Sequence, residues 1–194
     1  PQSTQEIRVE KTPEVLRQIY RTYDSTNPSS VILSPSALNA YLDCRLRFYY
    51  RYVAGLKTPD EVSAEIDSAL FGTIFHLSAQ LAYTDLTANG KMIQKEDIER
   101  LLRNEVKLQS YVDQAFKEEL FKVAPEEKPE YNGIQLINSK VIVSYLKQLL
   151  RNDLQYTPFE MVAMEKKVSE EITIQTGQGP FTLRLGGTID RMDA

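Results

Sequence analysis

Two side chains of this sequence are of types that bind divalent cations, and each lies in a pattern that would expose it to a cleft. His76 is the only histidine, and helical spacing places it on a small, polar face apart from the leucine stripe of the same helix. Asp190 lies in the stretch Leu185–Asp193, where strand alternation puts Ile189 and Asp190 on opposite faces, one inward and one towards a cleft. Oxygen ligands suit Mg²⁺ and Mn²⁺. The predicted polar face comprises Gly72, Thr73, His76, Ala79, Gln80 and Tyr83.

Each of these residues also has a more ordinary interpretation when it is taken singly. One imidazole is weak evidence of a metal site, because most histidines simply hydrogen-bond a neighbour. Asp190 beside Arg191 fits a solvated aspartate at the end of a strand. Only their combination would favour chemistry.

A lone cysteine limits the redox and metal chemistry available to this sequence. Cys44 lies within a predicted helix and is expected to be a small buried hydrophobe. With no second cysteine, neither an internal disulfide nor a four-cysteine metal site can form within this sequence. This usage fits a reducing compartment, and we expect a cytoplasmic protein.

The same helix carries arginines and tyrosines close together, namely Arg45, Arg47, Tyr49, Tyr50 and Arg51. Such a surface could follow a phosphate backbone and stack bases. A half-buried helix with solvated arginines fits the pattern equally well. The later acidic residues beside lysines are interpreted as an ordinary solvated face: Glu165, Glu170 and Glu171.

The overall composition indicates one folded domain. The 194 residues are 42% hydrophobic and 26% charged, which is ordinary for a packed domain. A net charge of −4 argues against a surface coated with phosphate-binding charge, although a local basic patch would suffice for nucleic acid. No run of about 18 apolar residues occurs, so we expect no membrane span. The polar N-terminal stretch is unlike a signal peptide.

The hydrophobic periodicity predicts helices first and antiparallel strands afterwards. Ser34 is suited to cap a helix that starts at Pro35 and stops before Gly55. A turn is expected at Thr58-Pro59 and a polar loop at 124–133. The predicted helices cover Pro13–Tyr23, 35–53, about 68–83, two between 95 and 121, and 136–152; the predicted strands cover Phe159–Val168, Glu171–Gln175 and Phe181–Asp193, with a hairpin turn between the last two.

These elements divide the chain into three predicted segments. An N-terminal extension with a short helix covers 1–30, a helical part covers 31–156, and the first strands of a sheet cover 157–194. Because the chain opens on Pro1 and closes on Ala194 within a predicted strand, we expect a piece of a longer protein. Three strands without a following helix make a poor sheet core, so the sheet is expected to be unfinished.

Three motifs follow one another along the chain. They are Leu33–Tyr50, with its S-x-S, tyrosine, cysteine and aromatic pair, then Gly72–His76, and last Gly187–Asp193. In this order they resemble the opening helix, the G-x-x-x-H motif and the G-x-I-D-R-x-D strand of RecB/AddB-type nuclease domains in the PD-(D/E)xK superfamily. The resemblance implies an α/β class, α+β in this chain, with a truncated restriction-endonuclease-like core: a large helical part followed by antiparallel strands.

The resemblance also implies roles for single residues. His76 would be a metal ligand, Asp190 the central catalytic and metal-binding carboxylate, and Mg²⁺ or Mn²⁺ the cofactor. Arg191 would position structure or substrate, and Glu165 is a weaker match to an acidic residue early in the family's sheet. Cys44 falls where iron–sulfur members place their first cluster cysteine, so a 4Fe-4S cluster is a candidate cofactor whose other ligands this sequence does not supply.

The sequence departs from the family in one respect that bears on activity. The family's next strand carries D/E-x-K, and a later helix carries a glutamine and a tyrosine; none of these can be placed here. Hydrolysis needs metal ions that activate water and a group that steadies the developing charge. We therefore expect a parent protein that cleaves DNA, a nuclease of the helicase–nuclease type in repair or recombination, and a fragment that does not.

Two other interpretations stay open at this point. A nuclease-like domain without catalysis could serve as a DNA-binding or scaffolding element, and an unrelated helical interaction domain with a β tail is the third possibility. The expected partners are DNA, a helicase subunit or helicase domain of the same chain, and a second copy through the sheet edge near Asp193. Convergence of His76 and Asp190 on one pocket would favour the nuclease.

Overall fold

The computed structural model describes residues 7–57, 66–122 and 130–194. The predicted turn at Thr58-Pro59 and most of the predicted loop at 124–133 lie outside these residues. The chain divides into two compact units, one formed by 1–60 and 165–190 and the other by 61–164 and 191–194. The predicted segment boundaries at residues 31 and 157 stay predictions.

The first unit begins with helices that side chains cap, as was predicted for Ser34. The Thr12 hydroxyl accepts a hydrogen bond from the Val15 backbone N–H at the start of α1 (Pro13–Tyr23). The Ser34 hydroxyl accepts a hydrogen bond from the Ala37 N–H at the start of α2 (Pro35–Asp43). In both helices proline occupies the first turn, where its missing N–H removes no helical hydrogen bond.

The predicted continuous helix from Pro35 to Val53 is wrong, because the helix breaks at Cys44. Cys44 adopts an extended conformation, with φ −152° and ψ 107°. A short α3 (Arg45–Phe48) follows it, and a π-helix (Tyr49–Val53) completes the segment. The predicted burial of Cys44 is also wrong, since its side chain is exposed.

In its described residues the second unit has four longer helices, whose number and approximate positions match the periodicity. Asn104 separates the two helices that were expected between residues 95 and 121, and its side chain caps the second through the Lys107 N–H. Asn132 and Gln135 form a reciprocal capping box at the start of the last helix. The helices are α4 (Ser68–Leu86), α5 (Lys95–Arg103), α6 (Glu105–Phe116), continued by a π-helix (Lys117–Phe121), and α7 (Gly133–Asp153), continued by a 3₁₀ turn (Leu154–Tyr156).

The buried face of α4 differs from the leucine stripe that the sequence suggested. Ile74, Ser78 and Ala82 are fully buried at a spacing of four, whereas Leu70, Leu77 and Leu81 are only partly buried. The Ser78 hydroxyl is satisfied by the Ile74 carbonyl, so a polar residue can occupy the core side without an unpaired donor. Small residues on this face let α4 lie close to α6.

Two apolar clusters form the core of the second unit. One surrounds Leu146 and Leu150 of α7, and the other surrounds Ile74 of α4 and Phe116 of α6. The aromatic rings of Phe116 and Tyr131 meet edge to face, with centroids 5.0 Å apart, an arrangement that the ring quadrupoles favour.

The strands form a three-stranded sheet in the order β1-β2-β3. The sequence did not reveal β1 (Met92–Ile93), whose two residues pair antiparallel with Glu160 and Phe159. The predicted strands 159–168 and 171–175 are one continuous β2 (Phe159–Thr176), which turns back into β3 (Gly179–Asp193). The described residues are thus α+β, with helices followed by an antiparallel hairpin, as predicted.

In the first unit, part of the outer edge of β3 is occupied by the chain that precedes α2. The Ser25 N–H donates to the Thr182 carbonyl, and the Leu33 N–H donates to the Arg184 carbonyl. Phe181, Tyr23 and Val53 form the small apolar core of this unit. These contacts fix α1 and α2 against the middle of β3.

No helix among the described residues is long and apolar enough to cross a membrane.

Candidate metal centre

Glu165 interrupts the regular conformation of β2. Its φ is +49°, in the left-handed region that side chains with a Cβ avoid at a cost of roughly 1–2 kcal/mol. The residues on both sides of it continue the strand. Because strained backbone at a single residue tends to occur where a side chain must point in a particular direction, Glu165 is a candidate functional residue.

The carboxylates of Glu165 and Asp190 come together in the first unit. A ligand oxygen of Glu165 lies within 4.8 Å of a ligand oxygen of Asp190. Glu165 is half-buried and Asp190 is exposed, so the pair is open to solvent on one side. The interpretation of Glu165 as part of an ordinary solvated face is therefore wrong; Glu170 and Glu171, which are exposed, fit it.

Two glycines let β3 lie close to its neighbours just before Asp190. A Cβ at Gly186 would lie 2.1 Å from the Val168 carbonyl oxygen of β2, so only glycine fits there. A Cβ at Gly187 would lie 3.2 Å from the ring of Pro35 at the start of α2. The paired glycines thus serve the close backbone approach that the sequence suggested, and they fix the strand that carries Asp190.

The predicted inward orientation of Ile189 is not observed. Ile189 is 36% exposed, and Thr188 and Asp190 on either side are exposed as well. This end of β3 lies outside the apolar clusters, so alternation does not produce one buried face here. The accessibility of Asp190 is in agreement with a role towards a solvent-borne ligand.

Arg191, the residue after Asp190, is held from several sides within the second unit. Its guanidinium forms ion pairs with Asp153 and Asp193. It also lies over two aromatic rings, 4.6 Å from the centroid of Tyr83 and 4.9 Å from that of Phe159. Burial lowers the pKa of Arg191, but the two carboxylates outweigh it and raise the pKa overall. These contacts agree with a structural role for Arg191, since its guanidinium is already occupied.

His76 lies on α4 in the second unit with an exposed side chain. The polar face predicted around it is uneven: Gly72 and Thr73 are exposed, but Tyr83 is 1% exposed. The Tyr83 hydroxyl donates a hydrogen bond to the Asp153 carboxylate. Burial first, and this carboxylate second, raise the pKa of Tyr83. The convergence of His76 with Asp190 stays a prediction.

The donor set in the first unit suits a hard divalent cation. Two carboxylates within 4.8 Å of each other can bind one ion through oxygen, which Mg²⁺ and Mn²⁺ favour over sulfur or nitrogen sites. Cys44 is an exposed lone cysteine at a helix break, and a cluster would require three further thiolates. The residues present therefore fit a divalent cation better than an iron–sulfur cluster.

The sequence singled out Asp190 as the carboxylate to consider and gave little weight to Glu165, which lies beside it in the structure. The acidic residues of β2 look alike in the sequence, since Glu165, Glu170 and Glu171 all occur beside charged or polar neighbours. The left-handed conformation separates Glu165 from the others, and no local pattern predicts it. The only signal was the weak match to an acidic residue early in the sheet of similar nucleases.

Comparison with known proteins assigns this fold and these residues to a family. A search of curated proteins found no match. The family model of the PD-(D/E)XK nuclease superfamily matches residues 32–194, a span that includes Cys44, His76, Glu165 and Asp190. The match rules out an unrelated helical interaction domain. Because it covers most of the 194 residues, the chain belongs to the PD-(D/E)XK nuclease superfamily.

Proposed function

We propose that the chain provides the metal-binding part of a DNA nuclease domain that hydrolyses phosphodiester bonds. The observation that carries this proposal is the meeting of Glu165 and Asp190 carboxylates within 4.8 Å, at a strained position of β2. Membership of a nuclease superfamily supports it. Mg²⁺ or Mn²⁺ is the cofactor that this oxygen-rich pair suits.

In this proposal each residue has one task. Asp190 and Glu165 supply carboxylate oxygens to the cation, and His76 supplies an imidazole nitrogen, a role that rests on its G-x-x-x-H motif. The cation, when bound, polarises the phosphate and lowers the pKa of an attacking water. Arg191 does not touch the reacting atoms; it anchors the end of β3 through Asp153 and Asp193.

Within the superfamily, we propose that the chain is of the RecB/AddB type. Its parent would be a repair or recombination protein that works with a helicase subunit or helicase domain. The support is the order of the three motifs, Leu33–Tyr50, Gly72–His76 and Gly187–Asp193.

Within the same proposal, a second copy could add to the edge of β3 beyond Gly186, since residues 182–186 already form hydrogen bonds with the chain before α2. A strictly monomeric species in light scattering at high concentration would contradict this association.

We also propose that the 194-residue chain alone does not turn over DNA. No D/E-x-K follows Asp190 in this sequence, so the group that steadies the transition-state charge is not supplied in the family's order. The letters of Glu165-Lys166-Lys167 match D/E-x-K, but they precede Asp190. Lys167 is therefore the residue to test if activity is found.

The decisive test of the metal site is thermal unfolding with and without Mn²⁺. Binding to the folded state stabilises it, by about 2.7 kcal/mol at a concentration 100 times the dissociation constant. We expect Mn²⁺ to raise the melting temperature of the unmodified chain, and Asp190→Asn or Glu165→Gln to remove most of this rise. Glu171→Gln is the matched control, because Glu171 is an exposed carboxylate on the same strand.

His76→Ala belongs in the same series and is expected to weaken Mn²⁺ binding less than Asp190→Asn, because a neutral ligand contributes less to a hard cation than a carboxylate. If Mn²⁺ stabilises Asp190→Asn as much as the unmodified chain, the proposed site is wrong.

A cleavage assay tests the proposed inactivity of the 194-residue chain. Labelled single-stranded and duplex DNA are incubated with Mn²⁺ and the chain, and products are resolved by size. No turnover together with intact metal binding is the expected result. Turnover that is abolished in both Asp190→Ala and Lys167→Ala would contradict the proposed inactivity and identify Lys167 as the missing lysine.

A further inference from the structure

The first unit carries an open groove that the metal site does not use. It has a volume of about 570 Å³ and is lined by residues of α2 on one side and of the following α3 and π-helix on the other. From α2 come residues at helical spacing, and from the other side come two arginines and a tyrosine. The lining residues are Ser36, Asn39, Ala40, Asp43, Arg47, Arg51 and Tyr52.

The polar groups of this groove match the chemistry of a phosphodiester backbone. Arg47 and Arg51 are four residues apart, so their guanidinium groups lie along one side of the groove. A guanidinium can bind a phosphate through two parallel hydrogen bonds. Asn39 and Ser36 on the opposite wall can donate further hydrogen bonds to phosphate or sugar oxygens.

The aromatic ring in the lining of the groove favours a strand with unpaired bases. Tyr52 lines the groove, and Arg51 lies 5.5 Å from the centroid of its ring. Stacking of a base on such a ring is sequence-tolerant and is available only when the base is not paired.

The walls of the groove are fixed before any ligand binds. Gln18 of α1 donates a side-chain hydrogen bond to the Val53 carbonyl, and the Tyr23 hydroxyl donates to the Tyr52 carbonyl. On the other wall, Pro35 at the start of α2 lies against Gly187, three residues before Asp190. The groove and the strand that carries Asp190 are therefore parts of one unit.

Asp43 in the wall of the groove carries a negative charge that disfavours a bound anion, so its substitution provides a test of anion binding. Asp43 forms an ion pair with Arg47, and both side chains are more than half exposed. An exposed ion pair of this kind contributes little stability, so Arg47 can exchange Asp43 for a phosphate. The carboxylate of Asp43 would then repel the bound backbone.

We propose that this groove binds the backbone of single-stranded DNA, with Arg47 and Arg51 on successive phosphates and a base directed towards Tyr52. The inference rests on the proposed nuclease function and deepens it by identifying where the strand enters. It assigns to Arg47 and Arg51 the substrate contact that the arginine-rich helix suggested, and it adds Asn39 and Ser36.

The experiment measures binding of a fluorescein-labelled oligothymidylate by anisotropy in EDTA, so that no cleavage interferes. A length of roughly 20 nucleotides covers a site of this kind. We expect Arg47→Ala and Arg51→Ala each to weaken binding by about tenfold, since a hydrogen bond to a charged group is lost. The slope of log affinity against log salt should fall by about 0.7 for each lost phosphate contact.

Two further variants distinguish a site from general charge. The double variant Arg100→Ala with Arg103→Ala also removes two positive charges, but from α5 in the second unit. The side chains of these two arginines are 77% and 78% exposed. This control should lose little affinity. Asp43→Asn should tighten binding several-fold, an effect that a merely structural role for Asp43 would not produce.

The outcomes separate this inference from the proposed function. Equal losses in the groove variants and in the α5 control, or a preference for duplex over single-stranded DNA, would overturn the groove as a single-strand site. The Mn²⁺ stabilisation should persist in Arg47→Ala with Arg51→Ala, and oligothymidylate binding should persist in Asp190→Asn. Metal binding without strand binding would overturn the groove alone, and strand binding without metal binding would overturn the metal site alone.

Discussion

At the scale of single residues, the candidate site depends on a backbone conformation as much as on residue type. Glu165 has the same carboxylate as Glu170 and Glu171, but its left-handed conformation accompanies a different direction and partial burial. The second residue of the pair, Asp190, lies in a strand fixed by glycines on its N-terminal side and by Arg191 on the other. The positions of both candidate ligands are thus set by their neighbours in the backbone.

The strain at Glu165 can be measured by comparing two substitutions. Glu165→Gly and Glu165→Ala both remove the carboxylate and its interactions, but only glycine adopts φ +49° without steric cost. We expect Glu165→Gly to be more stable than Glu165→Ala by about 1 kcal/mol in urea unfolding of the metal-free protein. If the alanine variant is equally stable, the left-handed conformation stores no strain.

Arg191 should matter to folding far more than its position beside Asp190 would suggest. Its side chain is 22% exposed and pairs with Asp153, which is 13% exposed. Arg191→Ala would leave that carboxylate buried without its cation and remove the packing over Tyr83, so we expect a loss of about 3 kcal/mol in the free energy of unfolding.

Urea denaturation of Arg191→Ala is compared with that of Arg103→Ala, whose side chain is 78% exposed. The control should change stability by less than about 0.5 kcal/mol. Comparable small losses in both variants would mean that the contacts of Arg191 contribute little to the folded state.

At the scale of elements, the hairpin of β2 and β3 carries both candidate carboxylates, and its geometry depends on Gly186. The backbone of β2 at Val168 and Ser169 lies so close that a Cβ on Gly186 would overlap it, with a separation of 2.1 Å from the Val168 carbonyl oxygen. The strands cannot keep their present spacing with a larger residue there.

Gly186→Ala should therefore destabilise the protein by about 2 kcal/mol, the range found when extra atoms are forced into a packed region. It should also weaken Mn²⁺ stabilisation, because β3 must shift near Asp190. Gly177→Ala in the hairpin turn is the control, since a Cβ there meets nothing within 4 Å. Equal melting temperatures for the two variants would contradict this reading of the hairpin.

At the scale of the whole molecule, buried tyrosines should make stability depend on alkaline pH. Burial first, and neighbouring carboxylates second, raise the pKa of Tyr83, Tyr111 and Tyr131. Above the ordinary pKa of about 10, these phenols ionise in the unfolded chain while the folded chain keeps its protons. Their contribution to the free energy of unfolding is therefore complete below pH 10. It is lost as pH rises further, because the unfolded state then binds fewer protons than the folded state.

We expect the free energy of unfolding to fall above about pH 10, by up to 1.4 kcal/mol per pH unit for each such tyrosine. Tyr83→Phe should make this decline less steep, whereas Tyr156→Phe is the control, since Tyr156 is 74% exposed. Urea titrations at several pH values measure the slope. An unchanged slope in Tyr83→Phe would mean that its phenol ionises equally easily in both states.

Local patterns in the sequence were sufficient for most of the elements. The cap at Ser34, the proline at Pro35 and the change of period near Phe159 are short-range properties that act whatever surrounds them. The order of helices followed by a hairpin came from these signals, and the three motifs in their order came with the family. Asp190 was singled out in the same way, from a motif only seven residues long.

Other features of the fold depend on tertiary structure, and local sequence patterns did not predict them. The short β1 and the buried face of α4 both depend on partners distant in sequence. The same is true of Glu165, because an unfavourable φ persists only where surrounding contacts offset its cost. The sequence determined which carboxylates and arginines are present; only packing determined that Glu165 meets Asp190 and that Arg47 and Arg51 line one groove.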